Sequence, residues 1–436
     1  MENTINIGII GVGTVGSGVV SMLTEHKELL KAKVGLPLRV TKMVSRSFKL
    51  ESPVEGISVG KDPREIIEDP EIDIVVELIG GLEPAKSYIL DAITRGKAVV
   101  TANKLLISQH GFEILKIASE RGVPVGFEGS VAGGIPIIRV IRDALIGNEI
   151  SMVRGIVNGT CNYILTKMFN EKKEFETVLK EAQRLGYAEK DASLDVDGID
   201  SAHKIAILSF LSFGTDTKFK DVYYEGITAL TYGDLQYAFD MGHKIKLLGI
   251  AEKVGDKLSL RVHPVMLPKD SILAKIDGVY NAVEVIGDYT GPTIYIGKGA
   301  GSKPTASAVV SDIVDTARSI YQKKKTKKGF VFLPKVTEPN LMDISELRSK
   351  YYIRLEVVDK PGVLAAISGI FGNHDISLKY VLQIERHEGQ TVPIVIMTHI
   401  SKEKNIKQSL KLIEGLEVVT KKPVMIRAMD DETPTG

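Results

Sequence analysis

Residues 185–204 gather five acids and two lysines just ahead of a strongly apolar stretch. A lysine held near carboxylates at a helix start can donate and accept a proton, if its surroundings set its pKa. Asp200 and Lys204 stand four apart, so on a helix they share a face. Two plainer readings compete: Asp197 and Asp200 as helix caps, or a solvated acidic loop. A calcium loop is excluded, because Ala206 stands where the bidentate glutamate after Asp195-Val196-Asp197-Gly198 would be required. A second lysine closes Thr101-Ala102-Asn103-Lys104, after a β-rich run. The carboxyl end of a strand in an open α/β sheet is where ligands bind, although a surface lysine is the plainer reading of Lys104. His203 reads as structural. His26, His110, His243 and His263 show no metal-ligand spacing with cysteine. Cys161 reads as a small buried thiol at a helix start.

A second chemistry lies at the chain start. Gly11-Val12-Gly13-Thr14-Val15-Gly16 follows an apolar run and opens an amphipathic one. Gly11 permits a tight turn, Gly13 lets a pyrophosphate approach the backbone, and Gly16 lets the helix sit close to the strand. The second strand ends Met43-Val44-Ser45-Arg46, with no acid for a ribose 2′-hydroxyl. Arg46 is suited to a 2′-phosphate, which favours NADP and leaves NAD open; Arg46 as a surface arginine is the alternative.

These residues need elements to hold them. Strands are predicted over 5–10, 38–44, 72–79, 98–101 and 123–127. Helices over 14–31, 63–68, 84–95 and 111–121 alternate with them, the pattern of a parallel doubly wound sheet. The middle reads as α+β: helices over 161–169, 174–185 and 201–213, then strands over 258–265, 279–286 and 293–296. A helix over 304–321 returns to the first domain. The lysine-rich run 322–328 reads as a solvated helix end opening a linker. The order βαββαβ from 351 onward is a split-βαβ, ferredoxin-like unit. The expected domains are 1–130 plus 301–321 for the dinucleotide, 131–300 as an α+β substrate domain, 322–349 as linker, and 350–427 as the ferredoxin-like unit.

Composition removes other classes. The 436 residues are 44% hydrophobic and 25% charged, with a net charge of +1. Such a chain has no bulk attraction to nucleic acid or anionic membrane, and no basic face or helix-turn-helix is evident. With one cysteine no intrachain disulfide forms. Together with a polar start lacking a secretory pattern, that predicts the cytoplasm. The apolar stretch 205–213 falls short of the roughly 20 residues that span a bilayer.

The motifs taken together resemble the homoserine dehydrogenase family over nearly the whole chain. The glycine turn, Thr101-Ala102-Asn103-Lys104, the run from Glu128 to Pro136, Gly155-Ile156-Val157-Asn158-Gly159-Thr160 and the 186–204 run occur in the family's order. Ala192 departs from it, since the family usually has proline after Asp191; that bears on the stiffness of the turn, not on the acids. The resemblance implies a fold of a Rossmann-type nucleotide domain, an α+β catalytic domain and a C-terminal ferredoxin-like ACT domain. For 131–300 it implies catalysis and dimerisation, and for 350–427 regulation. It implies interconversion of L-homoserine and L-aspartate 4-semialdehyde with NADP or NAD, on the route to threonine, methionine and isoleucine. Lys204 is then the proton donor, with Lys104 a second lysine at the substrate and nicotinamide. Glu189 and Asp200 hold the substrate's amino end, and Asp195 supports them. Gly301 is implied at the cofactor. A monovalent cation, usually sodium, is implied at Glu128, Val131, Gly133 and Ile135. Gly362, Asn373, Asp375 and Ile376 are the ACT contact candidates for an end-product effector, with threonine the one implied. A homodimer or homotetramer is expected. A ligand sensor without turnover and a different dehydrogenase, of the aspartate or diaminopimelate type, are the rivals.

Overall fold

The computed structural model describes residues 4–45, 56–326, 336–383 and 390–429. The chain forms two compact units. One comprises Met1–Val153, His203–Asp221 and Val283–Pro339; the other comprises Arg154–Ala202, Val222–Ala282 and Asn340–Gly436.

The first unit holds a six-stranded parallel sheet in the order Ser58–Gly60, Leu38–Val44, Ile5–Ile10, Ile74–Glu77, Ala98–Thr101, Val125–Gly126. Every residue of Ile74–Glu77 and Ala98–Thr101 is buried, as expected of parallel strands covered on both faces. The strand order reverses beside Ile5–Ile10, which makes a crevice at the carboxyl ends of Ile5–Ile10 and Ile74–Glu77. The returning helix is longer than predicted. It spans Ser302–Thr326 and packs along Thr14–Glu25. The Ser302 hydroxyl donates to the Thr14 carbonyl at 2.7 Å.

Several boundaries differ from those read in the sequence. The helix predicted over 14–31 is two helices, Thr14–Glu25 and Lys27–Val34, broken at His26. The apolar spacing Val19, Leu23, Leu30 runs through the break, so periodicity does not reveal it. The helix predicted over 111–121 begins at Lys104, because the Asn103 side chain accepts from the Leu106 amide and caps it. The strand predicted over 72–79 stops at Glu77.

The second unit holds an extended sheet. Its strands His243–Val254 and Lys257–Pro268 pair antiparallel through a turn at Gly255, whose φ is +61°. The first of these is missed by the sequence pattern. Lys246 interrupts its apolar run, yet is buried by bonds to Asn162, the Ile276 carbonyl and Asp277. Beyond Lys257–Pro268 the order continues Val424–Ala428, Arg348–Val358, Thr391–Thr398, Leu378–Leu382. With helices Val363–Gly372 and Glu403–Glu414 these four strands complete the expected βαββαβ motif. Tyr351, Ile353, Leu355, Ile367, Phe371, Ile394 and Ile406 form its core. No described helix is long and apolar enough to cross a membrane.

Candidate active site

The turn after Ile5–Ile10 has the shape of an anion cradle. Gly11 takes φ +100°, and a side chain there would lie 2.7 Å from the Leu78 backbone. A Cβ at Gly16 would meet the Gly11 carbonyl oxygen at 2.3 Å, so helix and turn touch backbone to backbone. At Gly13, by contrast, nothing lies within 4 Å. Gly13 is also the N-cap of Thr14–Glu25 and supplies no capping side chain. The first-turn N–H groups, with Val12, Thr14 and Val15 around them, therefore have no side-chain cap, the arrangement in which a helix start binds an anion such as a pyrophosphate. At Gly18 a Cβ would strike the Ser302 hydroxyl at 2.6 Å. Gly301, one residue before that helix, has φ +114°. Arg46 lies outside the described residues.

Lys104 is placed by a chain of hydrogen bonds at the carboxyl ends of two strands. Glu77 is fully buried. Its Oε1 accepts from the Ile79 and Gly80 amides at 2.8 and 3.1 Å, and its Oε2 accepts from the Thr101 hydroxyl at 2.7 Å. The Thr101 oxygen in turn accepts from the Asn103 amide at 3.0 Å, and Asn103 Nδ2 donates to the Gly81 carbonyl at 2.7 Å. Lys104 is then the first residue of its helix, and it is half-buried. One turn further on, the Ser108 oxygen lies 2.7 Å from His203 Nδ1. The His203 ring stacks on Phe219 at 4.0 Å between centroids. Lys204 follows it on the helix Ile199–Phe213 and is only 8% exposed. Sequence reasoning misses Glu77 and Ser108. An acid ending a buried strand is the available signal for the first; nothing marks the second.

In the second unit the carboxylates are organised by one amide. Asn158 caps the helix Gly159–Glu171, its Oδ1 accepting from the Cys161 amide at 2.8 Å. Its Nδ2 donates to Asp195 Oδ1 at 2.7 Å and to Asp200 Oδ2 at 2.9 Å. Asn158 and Asp200 are buried and Asp195 is half-buried. The buried Cys161 thiol donates to the Asp195 carbonyl at 3.1 Å. Glu189 is instead exposed, on the turn ahead of the short helix Ser193–Val196. Thus Asn158 brings Asp195 and Asp200 together, whereas Glu189 is exposed to solvent.

Residues 11–128 match the family model for the homoserine dehydrogenase NAD binding domain, 136–314 that for homoserine dehydrogenase, and 351–418 that for the ACT domain. The homoserine dehydrogenase of Helicobacter pylori is 43% identical over 98% of this chain and 99% of its own. A crystal structure of the homoserine dehydrogenase from Thiobacillus denitrificans superposes with a TM-score of 0.93 at 43% identity, covering 99% of this chain and 100% of that one. The chain belongs to the homoserine dehydrogenase family. It is an NAD(P)-dependent oxidoreductase of that family with a C-terminal ACT domain. A hyperthermophilic archaeal homoserine dehydrogenase mutant, solved in complex with NADPH, is 30% identical, with a TM-score of 0.62 over 72% of this chain and 97% of that one.

In this member of the family the candidate cation loop is buried and tightly turned. Ala132 and Gly133 take φ +50° and +21°, and a Cβ at Gly133 would lie 3.0 Å from the Gly299 carbonyl oxygen. The Glu128 carboxylate is engaged elsewhere: its two oxygens accept from the Ile138 and Arg139 amides, each at 2.9 Å. Burial raises its pKa. The loop's own bonds use the Glu128, Ala132 and Ile135 carbonyls. Each of these oxygens keeps a second lone pair, so backbone carbonyls and the Glu128 carboxylate are the hard donors this loop has for a cation. Among the described residues no group of three His, Cys, Asp or Glu gathers as metal ligands. In the ACT motif Gly362 caps Val363–Gly372 at φ +89°, Asn373 ends that helix, and Asp375 takes φ +55° before buried Ile376.

Proposed function

We propose that this chain interconverts L-homoserine and L-aspartate 4-semialdehyde, on the route to threonine, methionine and isoleucine. The observation that carries this reading is the Asn158 amide holding Asp195 and Asp200 together, with Lys204 one turn beyond Asp200. When bound, the nicotinamide supplies or accepts the hydride at the aldehyde carbon. Asp200 and Glu189 hold the substrate's ammonium, with Asp195 in support. Lys204 gives its proton to the aldehyde oxygen during reduction, so that this oxygen becomes the hydroxyl of the product alcohol, and takes a proton back during oxidation. An ammonium is suited to this because charge develops on that oxygen in the transition state. Lys104 adds a second positive group at the substrate and the nicotinamide. Burial keeps water from competing for Lys204.

The remaining assignments belong to the same reading. NADP is the preferred cofactor, cradled by residues 11–16 and Gly301, with Arg46 on its 2′-phosphate; NADPH in the archaeal relative supports it. A monovalent cation, usually sodium, is held at Glu128, Val131, Gly133 and Ile135 by backbone carbonyls and one carboxylate. Residues 1–130 plus 301–321 serve the dinucleotide, 131–300 catalysis and dimerisation, 322–349 link them to the tail, and 350–427 give feedback by threonine at Gly362, Asn373, Asp375 and Ile376. The enzyme works in the cytoplasm as a homodimer or homotetramer. The test follows homoserine oxidation by absorbance at about 340 nm, the reduced nicotinamide band. It uses each cofactor, with and without threonine. No oxidation of homoserine by either cofactor would overturn the reading.

A further inference from the structure

Within the second unit, the segment carrying Asp195 is clamped by a neighbour that no substrate contact requires. The Ile227 amide donates to the Val196 carbonyl at 2.8 Å. A Cβ at Gly226 would lie 2.1 Å from that carbonyl oxygen and 2.5 Å from Asp197 Cα. Gly198 takes φ +86°, and a Cβ there would approach the Glu225 carbonyl oxygen at 3.1 Å. Residues 225–227 and 195–198 therefore pack backbone on backbone. With no side chain as cushion, a shift of one must move the other.

Glu225 is fixed in turn. Its amide donates to the Val262 carbonyl at 2.8 Å. Arg427 Nη1 and Nη2 donate to its two carboxylate oxygens at 2.7 and 3.1 Å, and the Tyr223 hydroxyl donates to Oε1. Arg427 is 1% exposed and also binds Glu403 through Nε and Nη2. Lys407 meets Glu403 at 2.8 Å, so two cations balance two acids. A buried guanidinium keeps its charge, and losing a partner is costly. Arg427 and Glu225 therefore move as one body. Arg427 sits on Val424–Ala428, the last strand of the ACT motif, which pairs with both Lys257–Pro268 and Arg348–Val358.

We infer that the Glu225–Arg427 pair positions the Asp195 segment, and so ties the substrate carboxylates to the last strand of the ACT motif. This rests on the reading of Asp195 and Asp200 as substrate ligands. Glu225 and Arg427 are positioning residues: they act through residues 195–198, whose Asp195 is joined to Asp200 by Asn158.

The test compares Glu225→Gln with Tyr352→Phe. The second change removes the 2.8 Å bond from Tyr352 to Asp234, part of a separate clamp in which Arg354 also binds Asp234. Glu225→Gln should raise the homoserine KM about tenfold, the effect of one lost charge-assisted hydrogen bond, and leave the cofactor KM within about twofold. A second readout needs no turnover. Cys161 is the one cysteine in the chain, and its thiol bonds the Asp195 carbonyl. Its labelling by a chromogenic aromatic disulfide should accelerate about tenfold in Glu225→Gln, as the segment opens more often, and stay near wild type in Tyr352→Phe. Wild-type labelling in Glu225→Gln, or equal acceleration in both variants at equal loss of Tm, would overturn the inference. Failure of wild type to oxidise homoserine would sink the functional reading instead, and the labelling result would still decide the positioning.

Discussion

The Ser108 oxygen lies 2.7 Å from Nδ1 of His203, and the contact ties the helix that begins at Lys104 to the helix that carries Lys204. Ser108 is four residues beyond one lysine, and His203 is next to the other. Both are buried. The serine and imidazole thus join the two helices at one buried contact.

Removing the lysine and removing its support should therefore read differently. Lys204→Ala should lower kcat by about 10²- to 10⁴-fold, the range for loss of a general acid, with cofactor affinity unchanged. Ser108→Ala should cost about 1–3 kcal/mol of stability, because it strips a buried imidazole nitrogen of a partner. Its kcat should fall far less than that of Lys204→Ala. Steady-state kinetics with thermal melts separates the two. Wild-type turnover in Lys204→Ala would remove it as proton donor.

The two glycines of the cradle make a second contrast. At Gly13 φ is −89° and no atom lies within 4 Å, so alanine fits the empty protein. A methyl group there would intrude on a phosphate. Gly13→Ala should keep its Tm and raise the cofactor KM. Gly16→Ala drives a Cβ to 2.3 Å from the Gly11 carbonyl oxygen, and overpacking of this kind costs about 1–3 kcal/mol. It should lower Tm as well. Equal melting of both variants would contradict this division.

Asn158 offers a third test. Asn158→Ala removes a helix cap worth about 1 kcal/mol and a donor shared by Asp195 and Asp200. The homoserine KM should rise about tenfold or more, since charged hydrogen bonds are worth about 1.5–3 kcal/mol each, while the cofactor KM holds. A cofactor effect equal to the substrate effect would show general damage instead.

Much of this is legible in the sequence, for identifiable reasons. The strands Ile5–Ile10 and Ala98–Thr101 are short apolar runs next to glycine or polar punctuation, and the ACT motif repeats that signal with few exceptions. The glycine turn is legible because Gly11, Gly13 and Gly16 differ in what surrounds them, and their spacing records it. What escapes are relationships between distant residues. Glu77 reads as a strand acid until Thr101 and the Ile79 amide are seen on its carboxylate. Lys246 hides a 12-residue strand. Asn158 is visible as part of a motif, but its reach to Asp195 and Asp200, 37 and 42 residues away, has no local pattern.

A last prediction concerns pH. Asp312 is 4% exposed, and its Oδ2 accepts from the Glu128 amide at 2.7 Å. Burial, and then the neighbouring Glu128 charge, push its carboxyl up to about 7 from 3.8. Between these values the folded chain binds a proton that the unfolded chain has released. Stability therefore falls as pH rises through that window and levels off above it. Asparagine keeps the acceptor for the Glu128 amide but does not titrate. The Tm of Asp312→Asn, relative to wild type, should thus climb as pH is raised from about 4 to about 7 and then stay constant. Calorimetry of both proteins across that range measures it. A difference that does not change with pH would mean that Asp312 is ionised throughout, and that Arg139, 3.6 Å from its Oδ1, outweighs the burial.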